Sequence, residues 1–214
     1  MHESVDIMPL ETLIASFLTI CLGCFFSVNL HNILRVHNHS GQEEPYAEIE
    51  SPSSLIVSIA ALGTMLYFIE VCFYISVTFS SIVSSPNVLP LSAQLPFLVY
   101  VQVLGLAMTG TGYSLFIWSV IARGKYATSW EMRVSHKLVT WGPYRYVRHP
   151  SYLGYSLMFF GFIALWPNLI TFIPLAAILG YAKVTVQEEK LLEQRFGNEY
   201  IEYQRRTGRF IPKF

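Results

Sequence analysis

The sequence predicts an all-α integral membrane protein. It has about five transmembrane helices, a C-terminal helical hairpin and amphipathic tail helices on the cytoplasmic face. Three observations carry this reading. Of 214 residues, 53% are apolar and only 13% are charged, and the mean hydropathy is +0.43. A soluble domain carries about 25% charged residues. Several apolar runs approach or exceed the roughly 20 residues that a helix needs to cross a bilayer. The net charge is zero, yet the cations are strongly segregated along the chain.

The N-terminal stub, Met1–Pro9, carries two acids, Glu3 and Asp6, and no cation. The run Leu10–Leu34 is the first span. No basic region precedes it and it is too long for a signal-peptide core, so it reads as a retained helix. Arg35–Pro52 is a polar loop with four glutamates. Ser54–Val83 is the second span, interrupted only by Glu70. Ser84–Pro96 is an uncharged, proline-rich loop, and Phe97–Ala122 is the third span. These three spans form an N-terminal bundle over 1–122, and 123–214 forms the core that carries the chemistry. Within that core, Arg123–Pro150 is polar, and Ser151–Trp166 and Leu169–Val186 are short apolar runs split by Pro167-Asn168. Their short connection predicts a helical hairpin. The tail, Gln187–Phe214, predicts two short amphipathic helices broken at Gly197, with Asn198 capping the second.

All fourteen Lys and Arg lie in the 35–53 loop, the 123–150 segment or residues 183–213. The rule that basic loops stay inside then predicts an outside N-terminus and a cytoplasmic C-terminus. The membrane is the endoplasmic reticulum in a eukaryote and the plasma membrane in a prokaryote.

Several features are read as structural. Cys21 and Cys24 have CxxC spacing within an apolar run and no second pair, which favours buried apolar thiols over a metal or redox site. His31, His37 and His39 lack a fourth ligand at a matching spacing and read as part of a solvated loop. Gly110-Thr-Gly112 has no strand–helix context and reads as small-residue helix packing. No metal and no nucleic-acid partner are expected. Glu70 stays open between a functional acid and a protonated one bonded to a neighbouring tyrosine.

The chemistry concentrates in Ser135–Tyr152, SHKLVTWGPYRYVRHPSY. Gly142-Pro143 sets a turn. Pro150 pushes His149 out of helical geometry and starts the next helix. The free N–H groups of that helix start, beside Arg148 and His149, make a place for a carboxylate or another anion. Trp141 and Tyr144 offer aromatic surfaces for an adenine or a sulfonium. An interfacial belt of aromatic and basic residues is the plain alternative.

The pair of stretches HKLVTWGPYRYVRHPSYLGY and QEEKLLEQRFGNEYIEYQRRTGRFIP resembles the isoprenylcysteine carboxyl methyltransferase family. It also resembles the wider group of integral-membrane methyltransferases that includes the phospholipid methyltransferases. The resemblance covers about Ser135–Pro212. It implies S-adenosylmethionine as cofactor, held by His136, Lys137, Leu138, Val139, Tyr144, His149, Pro150, Ser151, Tyr152 and Glu188. It also implies a lipophilic acceptor, a prenylated cysteine or a lipid, entering from the bilayer among membrane lipids. Glu188, Lys183 and Arg148 are assigned to the reacting end. The family's usual arginine, four residues before the first glutamate of the pair, is replaced here by Val184, and Lys183 is its nearest cation. Either Lys183 takes that role or the acceptor differs. Phospholipid N-methylation with Glu189 or His149 as base, a sterol-type reductase binding a nicotinamide, and a non-catalytic scaffold stay open beside carboxylate O-methylation.

Overall fold

The computed structural model describes residues 10–39, 54–80, 97–124 and 137–213. The described residues form six α-helices in order: α1 Leu10–His39, α2 Ser54–Ser80, α3 Leu98–Arg123, α4 Pro150–Leu165, α5 Ala176–Phe196 and α6 Asn198–Arg206. Short 3-10 turns at Gly142–Arg145 and Ile170–Leu175 precede α4 and α5. No strand forms among the described residues, apart from an isolated bridge between Val147 and Gly208.

Among the described residues, four helices are long and apolar enough to cross a membrane: Leu10–Arg35, Ser54–Ser80, Leu98–Arg123 and Ile170–Phe196. The chain is a multi-pass membrane protein. Its outer face exposes Ile20, Leu30, Leu62, Met65, Val103 and Leu179, each more than half accessible. An apolar face of that extent needs lipid around it. α4, with 16 residues, is shorter. At 1.5 Å per residue it is about 24 Å long, against a hydrocarbon core of about 30 Å.

The helices pack through small residues. A Cβ on Gly112 of α3 would lie 2.7 Å from the carbonyl oxygen of Gly154 on α4, and one on Gly105 would lie 2.8 Å from that of Gly161. α3 and α4 therefore meet backbone to backbone. The small-residue reading holds for Gly112, whereas Gly110 faces Phe17 of α1. α2 meets α5 in the same way, Gly180 against Ala60 and Gly63 against Ala177. Aromatic rings fill the middle. Phe25 packs on Phe116 at 4.6 Å and on Phe68 at 4.8 Å, and Tyr67 donates to the Tyr113 hydroxyl at 3.2 Å.

Some expected boundaries move. α1 continues to His39, past Leu34, because Arg35 and the residues after it contain no breaker. The hairpin partner of α4 is mainly α3, and the turn between α4 and α5 is built by Asn168. Its Nδ2 donates to the Trp166 carbonyl at 2.9 Å and its Oδ1 accepts from Ile170 N at 2.9 Å. The last span and the first tail helix are one continuous α5, since no proline or glycine interrupts 181–196. Gly197, at φ +53°, separates α5 from α6. Gly197 occupies the cap position that the sequence assigned to Asn198, which is the first helical residue. Cys21 is half-buried, Cys24 faces outward and both are free thiols. The stub before Leu10, the loops at 40–53 and 81–96, and His136 lie outside the described residues.

Candidate functional site

The site forms where the linker before α4, the middle of α5 and the C-terminal tail converge. Gly142, at φ +61°, opens the 3-10 turn, and a Cβ there would meet that of Ala122 at 2.9 Å. Trp141 Nε1 donates to the Ala122 carbonyl at 2.9 Å, which pins the linker to the end of α3. His149 has φ −125° and Pro150 starts α4. The tail returns over this start: Arg148 N donates to Gly208 O at 2.9 Å and His149 N to Arg209 O at 3.1 Å. Tyr203 locks α6 onto the linker by donating to the Tyr144 carbonyl at 2.6 Å.

At the centre, His149 is 7% exposed and lies between two carboxylates. Its Nδ1 is 3.4 Å from Glu188 Oε2 and its Nε2 is 3.2 Å from Glu189 Oε1. Burial works to lower the His149 pKa. The hydrogen bonds and charges of Glu188 and Glu189 outweigh burial and hold it above its ordinary value.

The two glutamates differ in their partners. Glu189 is saturated. Arg148 Nε reaches its Oε1 at 2.9 Å, Arg209 Nε reaches the same oxygen at 3.1 Å, and Arg209 Nη2 reaches Oε2 at 2.5 Å. Arg148 Nη1 also donates to the carbonyls of Gln204 and Thr207. Glu188 instead accepts from the Tyr152 hydroxyl at 2.8 Å. Among the described residues no arginine or lysine pairs with it. It therefore has room for a cationic ligand group.

Beyond Tyr152 an apolar groove of about 720 Å³ runs between α1, α2, α4 and α5. Thr64, Phe68, Tyr155, Tyr181 and Val184 are among its lining residues. Tyr152 and Tyr181 stack with centroids 4.8 Å apart. Met65 and Ile69 on the α2 side are each 53% exposed, so the groove opens on the apolar flank.

The structure thus brings Tyr144, His149, Pro150, Ser151, Tyr152 and Glu188 to one end of the bundle, with Arg148 beside them. Lys137 is exposed, and Leu138 and Val139 are half-buried. Lys183 is exposed while its neighbour Val184 is buried and faces the groove. A step of one residue turns a helix by about 100°, so both cannot line it. Arg209 and Tyr181 were missed in the sequence, although Arg209 closes the RxxGR pattern at the end of the tail. Glu70 is buried on α2, and its Oε2 has no hydrogen-bond partner.

Comparison with known proteins gives a consistent result. The phospholipid methyltransferase family model matches residues 100–199, from the start of α3 into α6. Protein-S-isoprenylcysteine O-methyltransferase B of Arabidopsis thaliana is 38% identical over 79 residues, 36% of this chain and 40% of that protein. A probable protein-S-isoprenylcysteine O-methyltransferase of Oryza sativa subsp. indica is 30% identical over 119 residues, 53% of this chain and 62% of its own length. The chain spans less than two thirds of the length of these relatives. A solved structure of the eukaryotic intramembrane Ras methyltransferase aligns over 76% of this chain and 54% of its own, with 24% identity and a TM-score of 0.48. Through its C-terminal region the chain is thus similar to the phospholipid methyltransferases and to the isoprenylcysteine O-methyltransferases, both integral-membrane methyltransferases.

Proposed function

We propose that the protein transfers a methyl group from S-adenosylmethionine to the carboxylate of a lipophilic acceptor, a prenylated cysteine. The observation that carries this reading is the contrast between the two glutamates. Glu189 is held by two arginines and His149, whereas Glu188, one residue earlier, accepts from Tyr152 and faces His149 but has no arginine or lysine among the described residues. An acid held in that state suits the ammonium of an amino-acid-bearing cofactor. The donor set also fits its remaining parts. Tyr144 and His149 provide flat surfaces, and the free N–H groups at the start of α4 suit a carboxylate or a hydroxyl. Lys137, Leu138, Val139, Pro150 and Ser151, with His136 before them in the chain, are assigned to the same cofactor on this reading. When bound, S-adenosylmethionine supplies an electrophilic methyl on a sulfonium that leaves as a neutral thioether.

The protein's own groups do the remaining work. An acceptor carboxylate is already ionised at neutral pH, so no general base is required. The site must exclude water and align the nucleophile. The groove beyond Tyr152 suits a prenyl chain, with its head delivered at Tyr152 and Glu188. Arg148, through Glu189 and the tail carbonyls, fixes the position of the linker. An amine acceptor would need a base to take its proton. Glu189, the nearest carboxylate besides Glu188, is committed to three cationic partners, which favours the carboxylate acceptor.

On this reading 123–214 is the methyltransferase core and 1–122 its membrane bundle. α4 completes a five-span topology with the N-terminus outside and the site on the cytoplasmic face. The test is methyl transfer in detergent micelles from labelled S-adenosylmethionine, with an S-prenylated cysteine and phosphatidylethanolamine supplied together. Label on the prenylcysteine that is released as methanol by mild base is expected, because a methyl ester hydrolyses. Base-stable label on the amine headgroup, or no label at all, would overturn the proposal.

A further inference from the structure

We infer that Arg123, at the end of α3, is the cation that receives the acceptor's carboxylate; this rests on the proposed function above. A carboxylate brought in through an apolar groove needs a positive partner at the groove's polar end. On α5 the residues that line the groove are Tyr181 and Val184, and Lys183 is exposed beside Val184. Arg148 and Arg209 are both spent on Glu189. Lys137 and Arg145 are exposed, whereas Arg123 is half-buried and, among the described residues, no carboxylate lies within ion-pair distance of it.

Its surroundings are polar and built from two helices and the linker. Arg123 Nη2 donates to Ser151 Oγ at 3.3 Å. Ser151 Oγ is 2.8 Å from Ser119 Oγ, and the Tyr144 hydroxyl lies beside both serines. Arg123 Nε is buried and has no hydrogen-bond partner. A guanidinium N–H removed from water without an acceptor costs free energy, which a bound anion recovers. An arginine that merely ends a membrane helix extends its nitrogens into water or headgroups. Here the guanidinium is turned inward onto Ser151 instead.

The position is also right for the groove. Ser151, to which Arg123 donates, directly precedes Tyr152 at the start of α4. Tyr152 lines the polar end of the groove and also donates to Glu188. An acid whose chain lies in the groove therefore presents its head between Arg123 and the Tyr152–Glu188 pair. The planar fork of arginine matches a carboxylate better than an ammonium does. The same chemistry could come from the carboxylate of the cofactor's amino-acid end, and the experiment separates the two sources.

The measurement is calorimetric binding in micelles of an S-prenylated cysteine with a free carboxylate and of its carboxamide. It is run on wild type, Arg123→Ala, Arg123→Lys and Lys183→Ala, with S-adenosylhomocysteine affinity measured on each. Wild type is expected to prefer the acid by about tenfold or more. Arg123→Ala is expected to bind acid and amide alike while keeping S-adenosylhomocysteine affinity within about twofold of wild type, and Arg123→Lys to keep part of the preference. If Arg123→Ala fails to fold, Arg123→Gln, which can still donate to Ser151, takes its place. An unchanged preference for the acid in Arg123→Ala, or its loss in Lys183→Ala instead, overturns the inference. Loss of S-adenosylhomocysteine affinity with the acid preference intact also overturns it and assigns Arg123 to the cofactor. A wild type that binds S-adenosylhomocysteine but neither prenylcysteine overturns the proposed acceptor and this role together.

Discussion

His149 has the most to reveal at the scale of single residues. It is buried between Glu188 and Glu189, and its pKa is raised because their hydrogen bonds and charges outweigh its desolvation. A raised folded-state value means that the ion pairs stabilise the fold fully below about pH 6.5, the ordinary histidine value. That contribution is lost as pH rises through the raised value. Thermal melting in micelles should therefore fall on the alkaline side, and His149→Phe should lack that limb. A pH profile identical in the two proteins would contradict the assignment. Glu189→Gln leaves the 10%-exposed Arg148 side chain without its counter-ion. A cost of about 3 kcal/mol is expected for breaking a buried pair, read as a lower melting temperature. Arg209→Ala should cost less, because Arg209 is 39% exposed and screened by water. The motif made His149 and Glu188 legible in the sequence, since the two segments that carry them are each continuous. Arg123, Tyr181 and Arg209 were not legible. Arg209 reaches the site only because the tail folds back onto Arg148 and His149 through backbone hydrogen bonds, and no local pattern encodes that return.

At the scale of helices, the α3–α4 contact is the part of the fold least tolerant of change. Gly112→Ala places a methyl 2.7 Å from the Gly154 carbonyl and 2.9 Å from the Met158 side chain. Overpacking of this kind costs about 1–3 kcal/mol, and the α4 start that carries Ser151 and Tyr152 would shift with it. Gly23→Ala is the control. Nothing lies within 4 Å of a Cβ there, so the substitution should be neutral or stabilise by about 0.5–1 kcal/mol through helix propensity. Equal melting temperatures for the two variants would mean that α3 and α4 are not in backbone contact. The packing role of Gly112 was readable from its short Gly-Thr-Gly run within an apolar span. The continuity of α5 was not, because the change from apolar to charged residues near Gln187 resembles an element boundary. Composition marks where the surroundings change from lipid to water, and a helix crosses that boundary unless a glycine or proline stops it.

For the whole molecule, the apolar outer face and the long helices were plain from composition and run length. The groove was not, since it needs α2 to pack beside α5 through Ala60–Gly180 and Gly63–Ala177. That packing places an opening toward lipid next to a polar cluster, the combination that a lipid-borne acceptor and a water-borne cofactor require. The proposed topology brings the linker and tail together on the cytoplasmic face, so a reporter fused to the C-terminus should be active only in the cytoplasm. The most direct measurement is calorimetric titration of the detergent-solubilised protein with S-adenosylhomocysteine and, separately, with NADPH, on wild type and Glu188→Ala. Saturable binding of S-adenosylhomocysteine that Glu188→Ala weakens at least about tenfold, with no binding of NADPH, is the predicted result. Binding of NADPH, or S-adenosylhomocysteine affinity unchanged by Glu188→Ala, would contradict the site described here.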